Sequence, residues 1–119
     1  MKKYILKGHT PVIEEDEAAW GRWHSTADRS VARDVLPNGW EVSTVFLGID
    51  ASLGIGPPAL FETRIFGRTF GSGIRRCATW TEAEAMHRKV LRCVDPLYVE
   101  ARKVLAHERR RNGNESDPP

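Results

Sequence analysis

The sequence has few of the features that mark membrane, secreted or metal-dependent proteins. No apolar run approaches the ~18 residues needed to cross a bilayer. Three apolar residues precede Lys7 at the N-terminus, too few for the hydrophobic region of a signal peptide. The two cysteines, Cys77 and Cys93, lack the spacing of a Cys-x-x-Cys metal or redox pair. These absences predict a cytoplasmic protein with no membrane contact, whose two thiols are free and mostly buried.

A marked excess of one charge is also missing. The chain has 18 Lys/Arg and 16 Asp/Glu, and the net charge of +2 specifies no partner. Its 119 residues fit one domain, and 40% hydrophobic and 29% charged residues are typical of globular proteins. We expect a single α+β domain over residues 1–111, followed by a polar, disordered tail over 112–119.

Local patterns predict the order β-α-β-β-β-β-α-α. Asn38-Gly39 between two apolar runs is a strong hairpin signal, since both residues tolerate positive φ. Thr79 and Glu82 have the spacing of a capping box at a helix start. The predicted elements are a broken strand at 3–6 and 12–13, a helix at 15–28, strands at 31–36, 40–49, 60–66 and 74–79, a helix from residue 79 and a second from 97 to 111. Short connections favour an antiparallel sheet of four to five strands covered by helices.

Alternation along two strands predicts which side chains face the core. Both faces of the 40–49 strand are apolar, so we expect this strand to be central. In the 60–66 strand Phe61, Thr63 and Ile65 point inward, which leaves Glu62 and Arg64 facing water or a site.

Four sequence segments are familiar in combination. They are Gly8-His9-Thr10-Pro11, Ser43-Thr44-Val45-Phe46-Leu47-Gly48-x-Asp50, Gly56-Pro57-Pro58-x-Leu60-Phe61-Glu62-Thr63 and Thr79-Trp80-x-Glu82-Ala83-Glu84-Ala85-x-His87. Over roughly residues 2–92 the chain resembles a group of small uncharacterised proteins encoded by bacteriophages and prophages. The resemblance carries no assigned activity, and it implies a phage accessory protein that acts inside a bacterium.

Catalytic and metal-binding signals are weak. The glycines of the 50–59 connection lack the Gly-x-x-x-x-Gly-Lys-[Ser/Thr] pattern that holds phosphates. His9, Asp50, Glu62 and His87 are the candidates for a small enzyme or metal site, but no short ligand spacing joins them. Asp50 and Glu62 would form an acid–base pair if their strands brought them together. The alternatives are a core histidine at 87 and a cross-strand ion pair from Glu62 to Arg64, Arg75 or Arg76.

Basic residues concentrate toward the C-terminus. The candidates for a nucleic-acid-binding surface are Arg88, Lys89, Arg92, Arg102, Lys103 and Arg109. Neutralising phosphates with such a surface releases counterions and gives salt-sensitive affinity. A solvated basic helix face explains the same pattern without a ligand.

Trp20 and Trp23 lie one turn apart on the first predicted helix. Tryptophan supplies large apolar area both to cores and to interaction sites. With no legible active site, we expect non-catalytic binding of a bacterial host protein through Trp20, Trp23, Asp50 and Glu62, without a cofactor. Inhibition of a host or defence complex is one version. Nucleic-acid binding and a small enzyme or metal protein remain the alternatives.

Overall fold

The computed structural model describes residues 1–67 and 74–95. These residues form an α+β fold, as predicted. The elements are β1 (Tyr4–Lys7), β2 (Thr10–Ile13), α1 (Glu17–Thr26), β3 (Ser30–Val35), β4 (Glu41–Phe46), β5 (Phe61–Phe66), β6 (Arg75–Cys77) and α2 (Trp80–Val94). The predicted broken first strand is an antiparallel hairpin, β1–β2, that turns at Gly8 and His9. The predicted helix 97–111 and tail 112–119 lie outside the described residues.

The main sheet is antiparallel, with the strand order β3-β4-β5-β6. Strand β4 lies between β3 and β5, in the central position predicted for the 40–49 strand. The hairpin turn between β3 and β4 lies at the predicted Asn38-Gly39: Gly39 has φ of +89°, and the Asn38 side chain accepts a 3.0 Å hydrogen bond from the amide of Trp40. Local turn chemistry therefore sets the register of the sheet's first two strands.

Helix α2 covers one face of this sheet. Its contacts with the sheet form three successive groups along the helix. At one end Leu91 packs with the cross-strand pair Val42 and Ile65. At the other end Ala83 packs with the pair Phe46 and Phe61. Between these apolar clusters the pair Thr44 and Thr63 meets His87, so a polar layer lies at the centre of the fold.

The start of α2 has the predicted capping box. Thr79 accepts a hydrogen bond from the Glu82 amide, and the Glu82 carboxylate accepts one from the Thr79 amide. Such caps satisfy amides that have no partner inside the helix.

The β1–β2 hairpin and α1 join the sheet where β4 ends. The amide of Tyr4 bonds to the carbonyl of Gly48 at 2.8 Å, and Lys3 bridges to Ile49. The indole Nε1 of Trp20 lies 3.0 Å from the carbonyl oxygens of both Tyr4 and Gly48, which ties α1 to this junction.

The thiols differ from expectation in one respect. Cys77 is half-buried, and burial, with the nearby Glu82 charge, raises its pKa to about 11. Cys93 is exposed on α2, so the prediction of burial is wrong for that residue, which falls on the solvent side of the helix. No helix within residues 1–67 and 74–95 is long and apolar enough to cross a membrane.

Candidate functional site

The 50–59 connection is a clamped loop. The Asp50 carboxylate accepts hydrogen bonds from the amide of Ser52 at 2.9 Å and from the amide of Ala59 at 3.0 Å. The amide of Ala51 bonds to the Ala59 carbonyl at 2.9 Å, which closes the base of the loop. Hydrogen bonds from the Ser52 side chain and from these amides hold the pKa of Asp50 below its ordinary value of 3.8. Asp50 therefore shapes the loop.

The tip of the loop presents apolar side chains to solvent. Leu53 is 77% exposed and Ile55 is 83% exposed. Leu53 has φ of +56°, a left-handed conformation that branched and bulky residues rarely adopt. The amide of Ile55 bonds to the Ser52 carbonyl at 3.1 Å, so the tip is a hydrogen-bonded turn. The turn holds both side chains away from the core.

A shallow cleft of about 480 Å³ lies beside this loop. The residues that line it include Lys2, Tyr4, Asp50, Leu53 and Pro58. We call the cleft and the exposed tip together the loop surface. It combines apolar area with one acidic and one basic group.

The central polar layer is a chain of four side chains. Thr63 and Thr44 share a 2.5 Å hydroxyl–hydroxyl hydrogen bond. Thr44 lies 2.7 Å from Nδ1 of His87, and Nε2 of His87 lies 2.8 Å from the Asp34 carboxylate. This is the hydroxyl–imidazole–carboxylate order of a hydrolytic triad.

The four side chains of the polar layer have the wrong solvent exposure for hydrolysis, because the hydroxyl is buried and the carboxylate is the more exposed end. Thr44 and Thr63 are fully buried, His87 is buried, and only Asp34 reaches the edge of the interior. A nucleophilic hydroxyl has to meet its substrate, and the Thr44 hydroxyl is enclosed by α2 and the sheet. The arrangement can instead hold α2 in register on the sheet, with its buried polar groups mutually satisfied.

Glu62 forms an ion-pair cluster on the other face of the sheet. Its carboxylate accepts hydrogen bonds from Arg64 and from Arg76, the latter at 2.9 Å. Burial raises the pKa of Glu62, but the two arginines lower it more, and the net pKa is below the ordinary 4.5. The prediction of a cross-strand pair is confirmed for Arg76 on β6, whereas Arg64 pairs with Glu62 from the same strand. The prediction that Glu62 faces water or a site is corrected, because its side chain is buried under these arginines.

The four residues proposed for chemistry have separate sets of partners. His9 stacks on Trp80, with ring centroids 3.7 Å apart, while His87 contacts Thr44 and Asp34. Asp50 binds loop amides and Glu62 binds arginines. Within the part of the chain that the structure describes, no three His, Cys, Asp or Glu side chains are grouped to hold a metal ion.

No family model matches this chain, and the comparisons with curated proteins and with solved structures found no match. The resemblance to phage-encoded proteins therefore stays a prediction from the sequence segments that carry it.

The tryptophans proposed for partner binding both have intramolecular contacts. Trp20 stacks on His24, with centroids 4.5 Å apart, and carries the Lys3 ammonium over its ring. Trp23 meets the ring of Phe46 edge-on at 5.8 Å. Both indoles are half-buried, and their role in binding a partner stays a prediction.

The basic residues divide into described and undescribed sets. Arg88, Lys89 and Arg92 are exposed on α2. Arg102, Lys103 and Arg109 lie outside the described residues, so the extent of a basic surface there stays a prediction.

Sequence reasoning assigned no functional or structural partner to five residues that the structure singles out. These are Asp34, Thr44 and Thr63 of the polar layer and Leu53 and Ile55 of the loop tip. A signal was present for the threonines, because each is the polar middle member of an inward-facing apolar triplet. Leu53 and Ile55 were recognisable as apolar residues within a glycine-rich connection.

Proposed function

We propose that this protein binds another protein without catalysis, through the loop surface. The observation that carries the proposal is the exposure of Leu53 and Ile55 at the tip of a loop clamped by Asp50. Exposed apolar side chains are common singly, but two on one ordered turn beside a cleft form a patch with a ready contact area.

The physical reasoning is that the loop is already ordered before binding. Burying a Leu or Ile side chain contributes about 1.5–3 kcal/mol. A loop that has to be ordered on binding loses part of this gain to conformational entropy. The Asp50 clamp and the Ser52–Ile55 turn reduce that loss because they hold the tip in one conformation beforehand.

Trp20 and Trp23 enter the proposal as supports for this surface. Trp20 bonds to the carbonyl of Gly48, two residues before Asp50, and thereby fixes the start of the loop. Trp23 packs on Phe46 at the end of β4. The proposed partner is a bacterial host protein in the cytoplasm, with the chain acting as a phage accessory protein. This part rests on the sequence resemblance.

The test is affinity purification of the tagged full chain from a bacterial host, with nuclease present. The double variant L53S/I55S should bind a stoichiometric partner at least about tenfold more weakly than the parent chain does. This loss of affinity corresponds to about 1.4 kcal/mol of binding free energy. Ile13→Ser is the matched control, because Ile13 is also an exposed isoleucine but lies at the end of β2. It should retain the partner.

The proposal is wrong if the recovered protein binds the L53S/I55S variant as well as it binds the parent chain. It is equally wrong if no protein is recovered in stoichiometric amount after nuclease treatment. Circular dichroism of each variant shows whether the fold is intact.

A further inference from the structure

The face of the main sheet opposite α2 carries an ordered set of side chains. The register of β3 to β6 arranges them in three cross-strand rows: Val35–Glu41–Phe66, Arg33–Ser43–Arg64 and Val45–Glu62–Arg76. We call these nine residues the outer face. Helix α2 packs on the other side of the sheet and α1 packs on β1, so neither described helix covers the outer face.

Arginines are the most exposed charged side chains on this face, where three arginines against two carboxylates give a formal charge of +1. The arginine side chains are 63% exposed at Arg33, 45% at Arg64 and 43% at Arg76. The two acids lie lower: the Glu41 side chain is 24% exposed and the Glu62 side chain 6%. Glu41 forms an ion pair with Arg33, and Glu62 accepts hydrogen bonds from Arg64 and Arg76. These contacts orient the guanidinium groups, each of which has five N–H donors.

Polar and aromatic groups complete the outer face. Arg33 and Arg64 are both direct register partners of Ser43, on the strands to either side of it. Their backbones are therefore about 10 Å apart, and the Ser43 hydroxyl lies between the two arginines. Phe66, at the end of β5, is 48% exposed. It is the register partner of Glu41, and their row adjoins the row of Arg33, Ser43 and Arg64. An exposed ring beside arginines offers a stacking surface and phosphate contacts on one plane.

We propose that the outer face binds single-stranded nucleic acid. Arg33, Arg64 and Arg76 contact backbone phosphates, and Phe66 stacks on an unpaired base. The arginines favour a polyanion as the ligand. The half-exposed Phe66 ring favours a single strand, because its bases are free to stack on an aromatic side chain, whereas the bases of a duplex are stacked on each other. The outer face is distinct from the loop surface, so this activity is additional to protein binding.

The test is fluorescence anisotropy of labelled dT and rU oligomers of about 15 nucleotides, titrated with the full chain. Phe66→Ser should weaken binding about tenfold, the effect of losing one stacked base. Three phosphate contacts give a slope of log affinity against log salt of about −2, and Arg33→Gln should reduce its magnitude by about 0.7. A duplex of the same length should bind about tenfold more weakly than the single strand.

Arg22→Gln is the matched control, because it removes one exposed positive charge from α1, which does not cover the outer face. It should leave the salt slope unchanged. Leu53→Ser should leave oligonucleotide affinity unchanged, so this proposal and the protein-binding proposal fail independently.

Three results would overturn the proposal. One is the absence of any anisotropy change up to about 100 µM protein at low salt, the weak end of non-specific binding. Another is equal binding of duplex and single strand with no effect of Phe66→Ser, which marks a general polyanion surface. The last is a salt slope that depends on Arg22 and not on Arg33, which assigns the contact to α1.

Discussion

At the residue scale, Thr44 is one of the two inner members of the buried polar layer, the other being His87. The one hydroxyl of Thr44 contacts both Thr63 and Nδ1 of His87. A hydroxyl can donate one hydrogen bond and accept others, so Thr44 satisfies two neighbours that have no access to water. The cost of removing it is therefore the cost of leaving those neighbours without a partner.

Thr44→Val tests this role. Valine keeps nearly the same shape but leaves the His87 ring nitrogen and the Thr63 hydroxyl short of a hydrogen bond. We expect the free energy of unfolding to fall by about 1–3 kcal/mol, measured by urea denaturation. Ser43→Ala is the control, because it removes a hydroxyl from the same strand on the opposite face, and it should change stability by under ~0.5 kcal/mol. Equal effects of the two substitutions would contradict the assigned role.

At the scale of elements, the junction between the N-terminal hairpin, α1 and β4 depends on a glycine. Gly48 has φ of +80°, and a Cβ added there would lie 2.8 Å from Cδ2 of His24. The ring nitrogen Nε2 of His24 is itself 3.0 Å from the carbonyl of Leu47. Helix α1 can approach the end of β4 this closely only because residue 48 lacks a side chain.

Two glycine-to-alanine substitutions should therefore act in opposite directions. Gly48→Ala imposes a left-handed conformation on alanine and a clash with His24, and we expect a loss of at least about 1–2 kcal/mol. Gly21→Ala lies inside α1 with nothing within 4 Å of the added Cβ, and we expect a gain of about 0.5–1 kcal/mol. Thermal unfolding followed by circular dichroism measures both. A Gly48→Ala variant as stable as the parent would disprove the close approach.

At the scale of the whole molecule, two carboxylates have lowered pKa values in the folded state. Glu62 is held by two arginines, and Asp50 by the Ser52 side chain and loop amides. The unfolded chain binds protons at these groups more readily than the folded chain does. The stability they contribute is thus fully present above their ordinary values of 4.5 and 3.8, and is lost as pH falls through the lower folded values.

The acid dependence of folding should accordingly depend on Glu62. We expect Glu62→Gln to reduce the free energy of unfolding at neutral pH and to flatten its decline below a pH of about 4.5. Urea denaturation at a series of pH values measures this. Glu15→Gln, an exposed substitution ahead of α1, should leave the shape of the profile unchanged. Parallel profiles for the parent and Glu62→Gln would show that the Arg64–Glu62–Arg76 cluster does not contribute to the acid dependence.

Elements that depend on neighbours in the chain were predictable from the sequence. The Asn38-Gly39 turn, the Thr79–Glu82 capping box and the inward triplet of β5 all involve residues at most four apart along the chain. The N-terminal hairpin was missed because Gly8-His9-Thr10-Pro11 indicated a break in one strand, whereas its residues place two short strands side by side.

The sequence by itself predicted the α+β class and the central position of β4, and it offered the pairing of Glu62 with arginines as one alternative. These follow from periodicity, turn residues and the alternation of strand faces. Only the tertiary structure decided that Asp34 meets His87, 53 residues away, and that Leu53 and Ile55 remain outside the core. The physical reason is that a side chain's partner across the core depends on how α2 lies on the sheet, which no local pattern of residues specifies.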